Sequence, residues 1–450
     1  MLNALPDEIL SQILSFLPFK TSVSTSTLAV RWRRLWTYAP NIQLTGDSIP
    51  CSISERTKFV RTLTIILSQC ETHGVNTLRL PMGYFNKHEL ESCLESAFAC
   101  NVKFLHLTLP YALNIIPPCV FTSKTLVELR IKNLHIEMKN GVVCLPALKR
   151  LCLDYVDFRL GCSLESMISG CPVLEDFTLG YCLLGDSEIE GCHCISSPIM
   201  KRLVLHCGLT PTSRLKIDTP ALEYVVLRFN KPYNISIGSM ASLIEADIFV
   251  FCLNFGARSL VELLGRFSNV KDMKLSILGK VRDITPADLN INFHNLAKLT
   301  VGGDCRFISY FVEKANKLEV LNVKQCLEPQ CEMELLHHWW FLTYLLEKAD
   351  KLKVLIIRTV YNKHNRKRWL AVHLQVPNCL LSHLKIVQIR ELYCMENELD
   401  MVRYLLKNAK VLERMELHCF ERMEQHCLEE SIGRISSFDR GSEKCEIVFN

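Results

Sequence analysis

The chain has 450 residues, 49% of them hydrophobic and 22% charged, and 52 basic against 47 acidic side chains leave a formal net charge of +5. That composition belongs to a folded chain with a sizeable core, and the near balance of charge gives no electrostatic footprint for nucleic acid or an anionic membrane. No charge-free run of about 18 apolar residues occurs, and the first residues lack the basic segment, apolar run and small-residue cleavage site of a secretory signal. The expected location is therefore the cytoplasm or nucleus, where the 22 cysteines read as reduced, small apolar residues rather than disulfides.

The first predicted element lies in LPDEILSQILSFLPFK, from Leu5 to Lys20, with RWRRLW, from Arg31 to Trp36, following. As a helix the first stretch sets Ile9, Leu10, Ile13, Leu14 and Leu17 on one apolar stripe. About 40 residues are too few to enclose a core. The stripe needs a cover, either the rest of the chain or a second protein.

From Val75 a unit recurs, apolar-x-x-apolar-x-apolar: VNTLRL, VKFLHL, LVELRI, LKRLCL, LEDFTL, MKRLVL, LEYVVL, LIEADI, VKDMKL, LAKLTV, LEVLNV, LKVLII, LKIVQI and LERMEL. Most neighbours stand about 21 to 28 residues apart, the spacing of leucine-rich repeats. The last two apolar positions, such as Leu151 and Leu153, alternate with polar ones and mark a strand with one buried face. Connectors such as LESMISGCP carry apolar residues at helical spacing, then Gly170 and Pro172 as stop signals. One unit cannot bury its own apolar face, so the units are expected to stack into an α/β solenoid, with a curved parallel sheet on the concave side and helices on the convex side. Roughly 14 units at about 4.8 Å would span an arc of ~60 Å, a size suited to a protein partner.

Strand residues flanking the buried pair should face outward on the concave side: Arg150, Cys152 and Asp154, then Arg202, Val204 and His206, then Tyr224, Val226 and Arg228, then Glu245, Asp247 and Phe249. The charged and aromatic members are the candidate target-binding face. Their mixed signs disfavour a polyanionic cofactor such as an inositol phosphate, which needs several convergent cations. Cys182 and Cys326 stand two residues after predicted strands and read as turn-tying positions.

Towards the C-terminus YFVEKANKLEVLNV, YLLEKADKLKVLII and YLLKNAKVLERMEL align without a gap, each a helix ending near Ala315, Ala349 or Ala409 before a strand. The frame kept at Leu352, Leu384 and Leu412 predicts that the last hundred residues continue and cap the solenoid. The basic run Lys363 to Arg368 reads as a solvated loop.

No catalytic chemistry emerges. Cys192, His193 and Cys194 fall short of a closed zinc site's paired spacing, His337 and His338 are adjacent and cannot chelate together, and His88-Glu89 has Ser92 where a zinc protease needs His. Phosphate-binding, dinucleotide-binding, nucleophile-elbow and C-x-x-C motifs do not occur. No catalytic residue, metal or cofactor is expected.

Taken together, these residues resemble a plant F-box protein with leucine-rich repeats and a C-terminal FBD domain. The F-box pattern is carried by Leu5-Pro6-Asp7-Glu8-Ile9-Leu10, Ile13 to Pro18, Thr25-Ser26, Leu28, Arg31-Trp32 and Leu35-Trp36. The FBD pattern is carried by Trp369, Val376-Pro377, Cys379 to Ser382, Leu384-Lys385, Tyr404 to Leu406, Asn408-Ala409 and Cys445 to Phe449. Thr21, Ser24, Thr27 and Val30 depart from the family's usual residues.

The resemblance implies a three-helix F-box over 1–45, repeats over 46–345 and an FBD domain over 346–450. It implies a non-catalytic substrate-recognition subunit of a Skp-cullin-F-box ubiquitin ligase. Leu5, Pro6, Ile9, Leu10, Ile13, Leu14, Leu17, Pro18, Leu28, Trp32, Leu35 and Trp36 would meet the Skp-type adaptor, and through it cullin, while the repeats hold an unknown target protein. Neither nucleic acid nor membrane is an expected partner. Two other readings stay open: a scaffold outside any ligase, motivated by Thr27 and Val30, and a small-molecule sensor with a ligand-completed concave face.

Overall fold

The computed structural model describes residues 4–38, 41–43, 53–70, 75–81, 87–108, 116–135, 142–157, 164–184, 192–209, 213–229, 235–251, 255–278, 281–282, 290–303, 305–324, 339–359, 375–421 and 425–450. They form two compact units, one of residues 1–222 with 234–239, the other of 223–233 with 240–450. Cys326, His337, His338 and the basic run 363–368 lie outside the described residues.

The first unit begins with helix α1 (Asp7–Ser15), whose start follows Pro6 and carries Asp7 and Glu8 in its first turn, where acidic groups favour the helix dipole. Helix α2 (Phe19–Ser24) follows Pro18 in the same way. The third helix expected here is instead a series of 3-10 turns at Thr25–Thr27, Val30–Arg33 and Leu35–Tyr38. The hydroxyls of Thr25 and Thr27 bond back to the carbonyls of Ser22 and Ser24, and Ala29 is extended, so the backbone has local alternatives to a continuous helix.

Then come β1 (Asn41–Gln43), α3 (Ile53–Cys70), β2 (Thr77–Pro81), α4 (Lys87–Ala99), β3 (Phe104–Thr108), β4 (Glu128–His135), β5 (Arg150–Asp157), α5 (Leu164–Ser169), β6 (Asp176–Leu184), β7 (Cys192–Ser196), β8 (Arg202–Leu209) and β9 (Arg214–Asp218). The order β1-β2-β3-β4-β5-β6-β8 is parallel throughout. Register aligns the repeat's apolar positions into buried rows, Leu78–Leu105–Leu129–Leu151–Phe177–Leu203 and Leu80–Leu107–Ile131–Leu153–Leu179–Leu205. Gly170, just past α5, packs so closely on the Val143 carbonyl that a Cβ would collide with it.

The second unit opens with β10 (Tyr224–Phe229). The strand after it, β11 (Ile235–Ile237), belongs to the first unit, where β11-β9-β7 form a separate parallel sheet. These three connectors are strands where the repeat predicted helices. In RLKID, Leu215 and Ile217 are buried and the residues flanking them exposed, a period of two rather than 3.6.

The second unit continues with β12 (Glu245–Phe251), β13 (Phe255–Gly256), α6 (Ala257–Gly265), β14 (Asp272–Leu278), β15 (Val281–Arg282), β16 (Lys298–Gly302), α7 (Cys305–Glu313), β17 (Val320–Lys324), α8 (Trp339–Lys348), β18 (Val354–Arg358), α9 (Asn378–Ser382), β19 (Ile386–Leu392), α10 (Glu396–Asn408), β20 (Arg414–Cys419), α11 (Gln425–Ser436) and β21 (Glu446–Phe449). The ladder β10-β12-β14-β16-β17-β18-β19-β20-β21 is again parallel. One of its buried rows runs Met273–Leu299–Leu321–Leu355–Val387–Met415. Ala315, Ala349 and Ala409 are buried just beyond α7, α8 and α10, where the backbone N–H groups of Ala349 and Ala409 donate to the last turn.

Every repeat motif leads into a strand of these ladders. Cys182 corrects one expectation: it lies inside β6, buried and paired with Cys207, because β6 runs on past a bulge at Tyr181. Burial pushes the thiols of Cys93, Cys171, Cys207 and Cys379 up to about 12, as expected of cysteines that act as small apolar residues.

Candidate functional site

Two surfaces carry the candidate residues. The first is the N-terminal helical segment. Leu10 and Leu14 of α1 pack with Trp32 and Leu35 in a closed cluster, flanked by half-buried Leu5 and by Ala29. Phe19 meets Trp36 edge-on at 6.2 Å, and the Trp36 indole donates to the Arg33 carbonyl at 3.0 Å. The buried Ser22 hydroxyl donates to the Leu14 carbonyl at 2.8 Å, and Arg31 donates to Asp7 at 2.8 Å and to the Leu5 carbonyl at 2.7 Å. These bonds lock the turn Val30–Arg33 onto the start of α1.

The neighbouring face of α1 and the turn that follows it are uncovered. Ile9 is 41% exposed, Ile13 38%, Leu17 37% and Phe16 87%, and Leu28 and Val30 in the turns are exposed as well. The predicted stripe is thus divided. Leu10, Leu14, Trp32, Leu35 and Trp36, expected at an interface, are internal, because about 100° per residue separates neighbours on a helix. Ile9, Ile13, Leu17, Leu28 and the prolines Pro6 and Pro18 face outward. Phe16 and Val30 are exposed apolar residues that the sequence-based set omits.

The second surface is the outward face of the strands. On the first unit Glu128, almost buried, accepts the Nε donors of Arg130 and Arg150, both at 2.6 Å, and sits 2.9 Å from the Nε2 of His106. Burial alone would raise the Glu128 carboxyl, but the hydrogen bonds of Arg150 and Arg130 and the Arg130 charge overcome it and hold the group down at about 2. Arg202 lies 3.6 Å from Asp176. Tyr155 and Tyr181 occupy left-handed backbone at φ 57° and 51°, stack at 4.8 Å, and Tyr181 meets His206 edge-on at 5.6 Å. The Asp154 carboxylate fills the space that a Cβ on Gly180 would need.

On the second unit Arg228 lies 3.9 Å from Asp247 and Lys274 3.0 Å from Glu245. Arg150, Asp154, Arg202, His206, Tyr224, Arg228, Glu245, Asp247 and Phe249 all reach the surface at their expected strand positions, whereas Val204 and Val226 are buried. In β7 the alternation of a strand puts His193 on the face opposite to Cys192 and Cys194, so the three do not converge. No group of three metal-ligating side chains gathers among the described residues, and no helix there is long and apolar enough to cross a membrane.

Three family models match in chain order: the F-box domain over residues 2–43, the leucine-rich repeats of FBD-associated F-box protein At5g56370 over 90–246, and FBD over 373–417. The chain is 26% identical to FBD-associated F-box protein At5g27750 of Arabidopsis thaliana, over 99% of this chain and 98% of that one. It is 27% identical to the Arabidopsis F-box/FBD/LRR-repeat protein At5g22660, over 99% and 95%. Along its length the chain is thus similar to F-box/FBD/LRR-repeat proteins, with the F-box, leucine-rich-repeat and FBD models matched in that order.

Within this F-box the departures at Thr21, Ser24, Thr27 and Val30 are all exposed, and none of these enters the cluster around Trp32. The FBD match spans α9, β19, α10 and most of β20, and β19 pairs with β18 upstream of it. The set of outward strand residues read from sequence stops at β12. The same alternation, carried on to LNVK, LIIR, VQIR and MELH, places Lys324, Arg358, Arg390 and His418 side by side on β17 to β20.

Proposed function

We propose that this chain is the substrate-recognition subunit of a Skp-cullin-F-box ubiquitin ligase. Its F-box, over 1–45, docks the Skp-type adaptor and through it cullin. The strand faces of the repeats, over 46–345, and of the FBD region, over 346–450, hold a target protein. The chain itself performs no chemistry: ubiquitin transfer gains its rate from holding target lysines near the charged conjugating enzyme.

The observation that carries this reading is the exposed apolar surface of Ile9 and Ile13 on α1 and of Phe16 and Leu17 in the turn after it, beside a helix face already satisfied by Leu10 and Leu14. Each such side chain buried in a partner contributes roughly 1.5 to 3 kcal/mol before association costs. The test is capture of a purified Skp-type adaptor by the full chain and by an Ile9→Asp/Ile13→Asp variant. The intact chain should retain the adaptor and the variant should lose it with its melting curve unchanged. Failure of the intact chain to retain adaptor, or equal retention by both, contradicts the proposal.

A further inference from the structure

On parts of the strand faces charges on neighbouring strands alternate, although Arg79, His106 and Arg130 line up in the first unit and Glu245 faces Asp272 in the second. Along one row of the first unit the order is Glu128, Arg150, Asp176, Arg202. In the second unit Lys274 reaches Glu245 and Lys298 reaches Asp272. Such opposite-sign pairs stabilise a sheet, and like charges directly opposite each other destabilise it.

The C-terminal strands carry a longer row of one sign. Lys324 on β17, Arg358 on β18, Arg390 on β19 and His418 on β20 are consecutive partners in register, three permanent cations and a histidine on one line. Their neighbours compensate them only in part. Glu391, on left-handed backbone at φ 58°, lies 3.1 Å from Arg358. Arg390 is held by the neutral amide oxygen of Gln388 at 2.8 Å, and Glu416, one row further in, is taken by Arg414 at 2.7 Å, with His418 3.8 Å away. Among the described residues no carboxylate pairs with Lys324 or Arg390. Arg358, Arg390 and His418 line an open cavity of about 550 Å³ together with Glu391, Glu421 and Phe420.

We infer that this row is a binding site for an extended acidic peptide segment, rich in aspartate or glutamate, in the target protein. Four strands at about 4.8 Å spread the row over ~14 Å, and carboxylates at alternate positions of an extended peptide recur at about 6.8 Å, so two or three of them meet the row at once. Arginine forks at the two central positions suit carboxylates, which they can grip through paired hydrogen bonds. The sheet carries a run of like charge, offset only in part by Glu391 and Glu416, that an anionic partner relieves further. That the peptide comes from a ubiquitination target rests on the receptor reading; the binding itself does not.

The experiment is fluorescence polarisation of the full chain with a labelled peptide of about twelve residues alternating glutamate and serine, and with its glutamine counterpart. The glutamate peptide should bind, weaken as salt rises, and exceed the glutamine peptide. Arg358→Glu/Arg390→Glu should weaken binding at least about tenfold, and Arg358→Gln/Arg390→Gln, which relieves the repulsion without reversing charge, should weaken it with no fall in melting temperature. Lys103→Glu/Lys351→Glu, the same charge change in exposed turns, should leave it intact. Equal binding of the two peptides, equal loss in the turn variant, or tighter binding of a single-stranded oligonucleotide of the same charge overturns the inference. Adaptor capture by the arginine variants separates the two failures, since retained adaptor without peptide binding leaves the receptor reading standing.

Discussion

Glu128 shows how one residue ties three strands together. It is a polar spacer in LVELRI by sequence, and only the fold reveals that it faces Arg150 in register on β5 and meets the side chain of His106 diagonally on β3. Alternation along each strand made the outward positions legible; which charge would meet which across strands was not. The Glu128 carboxyl is lowered to about 2 in the fold from an ordinary value near 4.5. A lowered folded pKa means that the ionised form contributes stability above the unfolded value, and that this contribution is lost as pH falls through the window from about 4.5 to about 2. Glu128→Gln should therefore cost about 2 kcal/mol near neutral pH, with the exposed arginines discounted for screening, and the difference from the parent should narrow by more than half near pH 3. Urea unfolding of both proteins at the two pH values checks this. A constant difference would mean that the residue acts through packing and not through its charge.

At the scale of the element, α1 separates what a helical period can and cannot tell. The spacing of Ile9, Leu10, Ile13, Leu14 and Leu17 identified an apolar arc, yet not that two covers share it: Trp32 and Leu35 of the same chain on one side, open surface on the other. The arc is as wide as either cover alone would need, so the pattern gave no boundary. Leu10→Ala should destabilise the F-box by about 2 to 5 kcal/mol, since it opens a cavity in a closed cluster. Ile9→Ala should change stability by less than about 0.5 kcal/mol and weaken adaptor capture. Thermal melting and adaptor titration of both variants read the two effects separately. The connectors at β7, β9 and β11 teach the complementary lesson: in segments of five residues or fewer a period of two and a period of 3.6 are hard to tell apart, and the repeat's expectation of a helix prevailed wrongly there.

At the scale of the whole molecule, the repeat frame was the most legible feature, because every unit must present the same apolar pair to its neighbours. The C-terminal strands keep that frame, with β18, β19, β20 and β21 adding to the ladder of the second unit in register. This supports reading the FBD region as further repeats rather than as a tethered domain. What the sequence did not make legible is the basic row on those strands, since a like-charge run across strands is separated by some 28 to 34 residues along the chain.

The central claim is that the N-terminal face joins the chain to a ligase while the strand faces hold a target. Proximity labelling in cells, comparing the intact chain with the Ile9→Asp/Ile13→Asp variant, tests it most directly. The account predicts that both label the same target proteins, that adaptor and cullin are labelled only by the intact chain, and that the shared targets rise in abundance with the variant. Equal labelling of adaptor and cullin by the two chains, or targets that vanish with the variant, would contradict it.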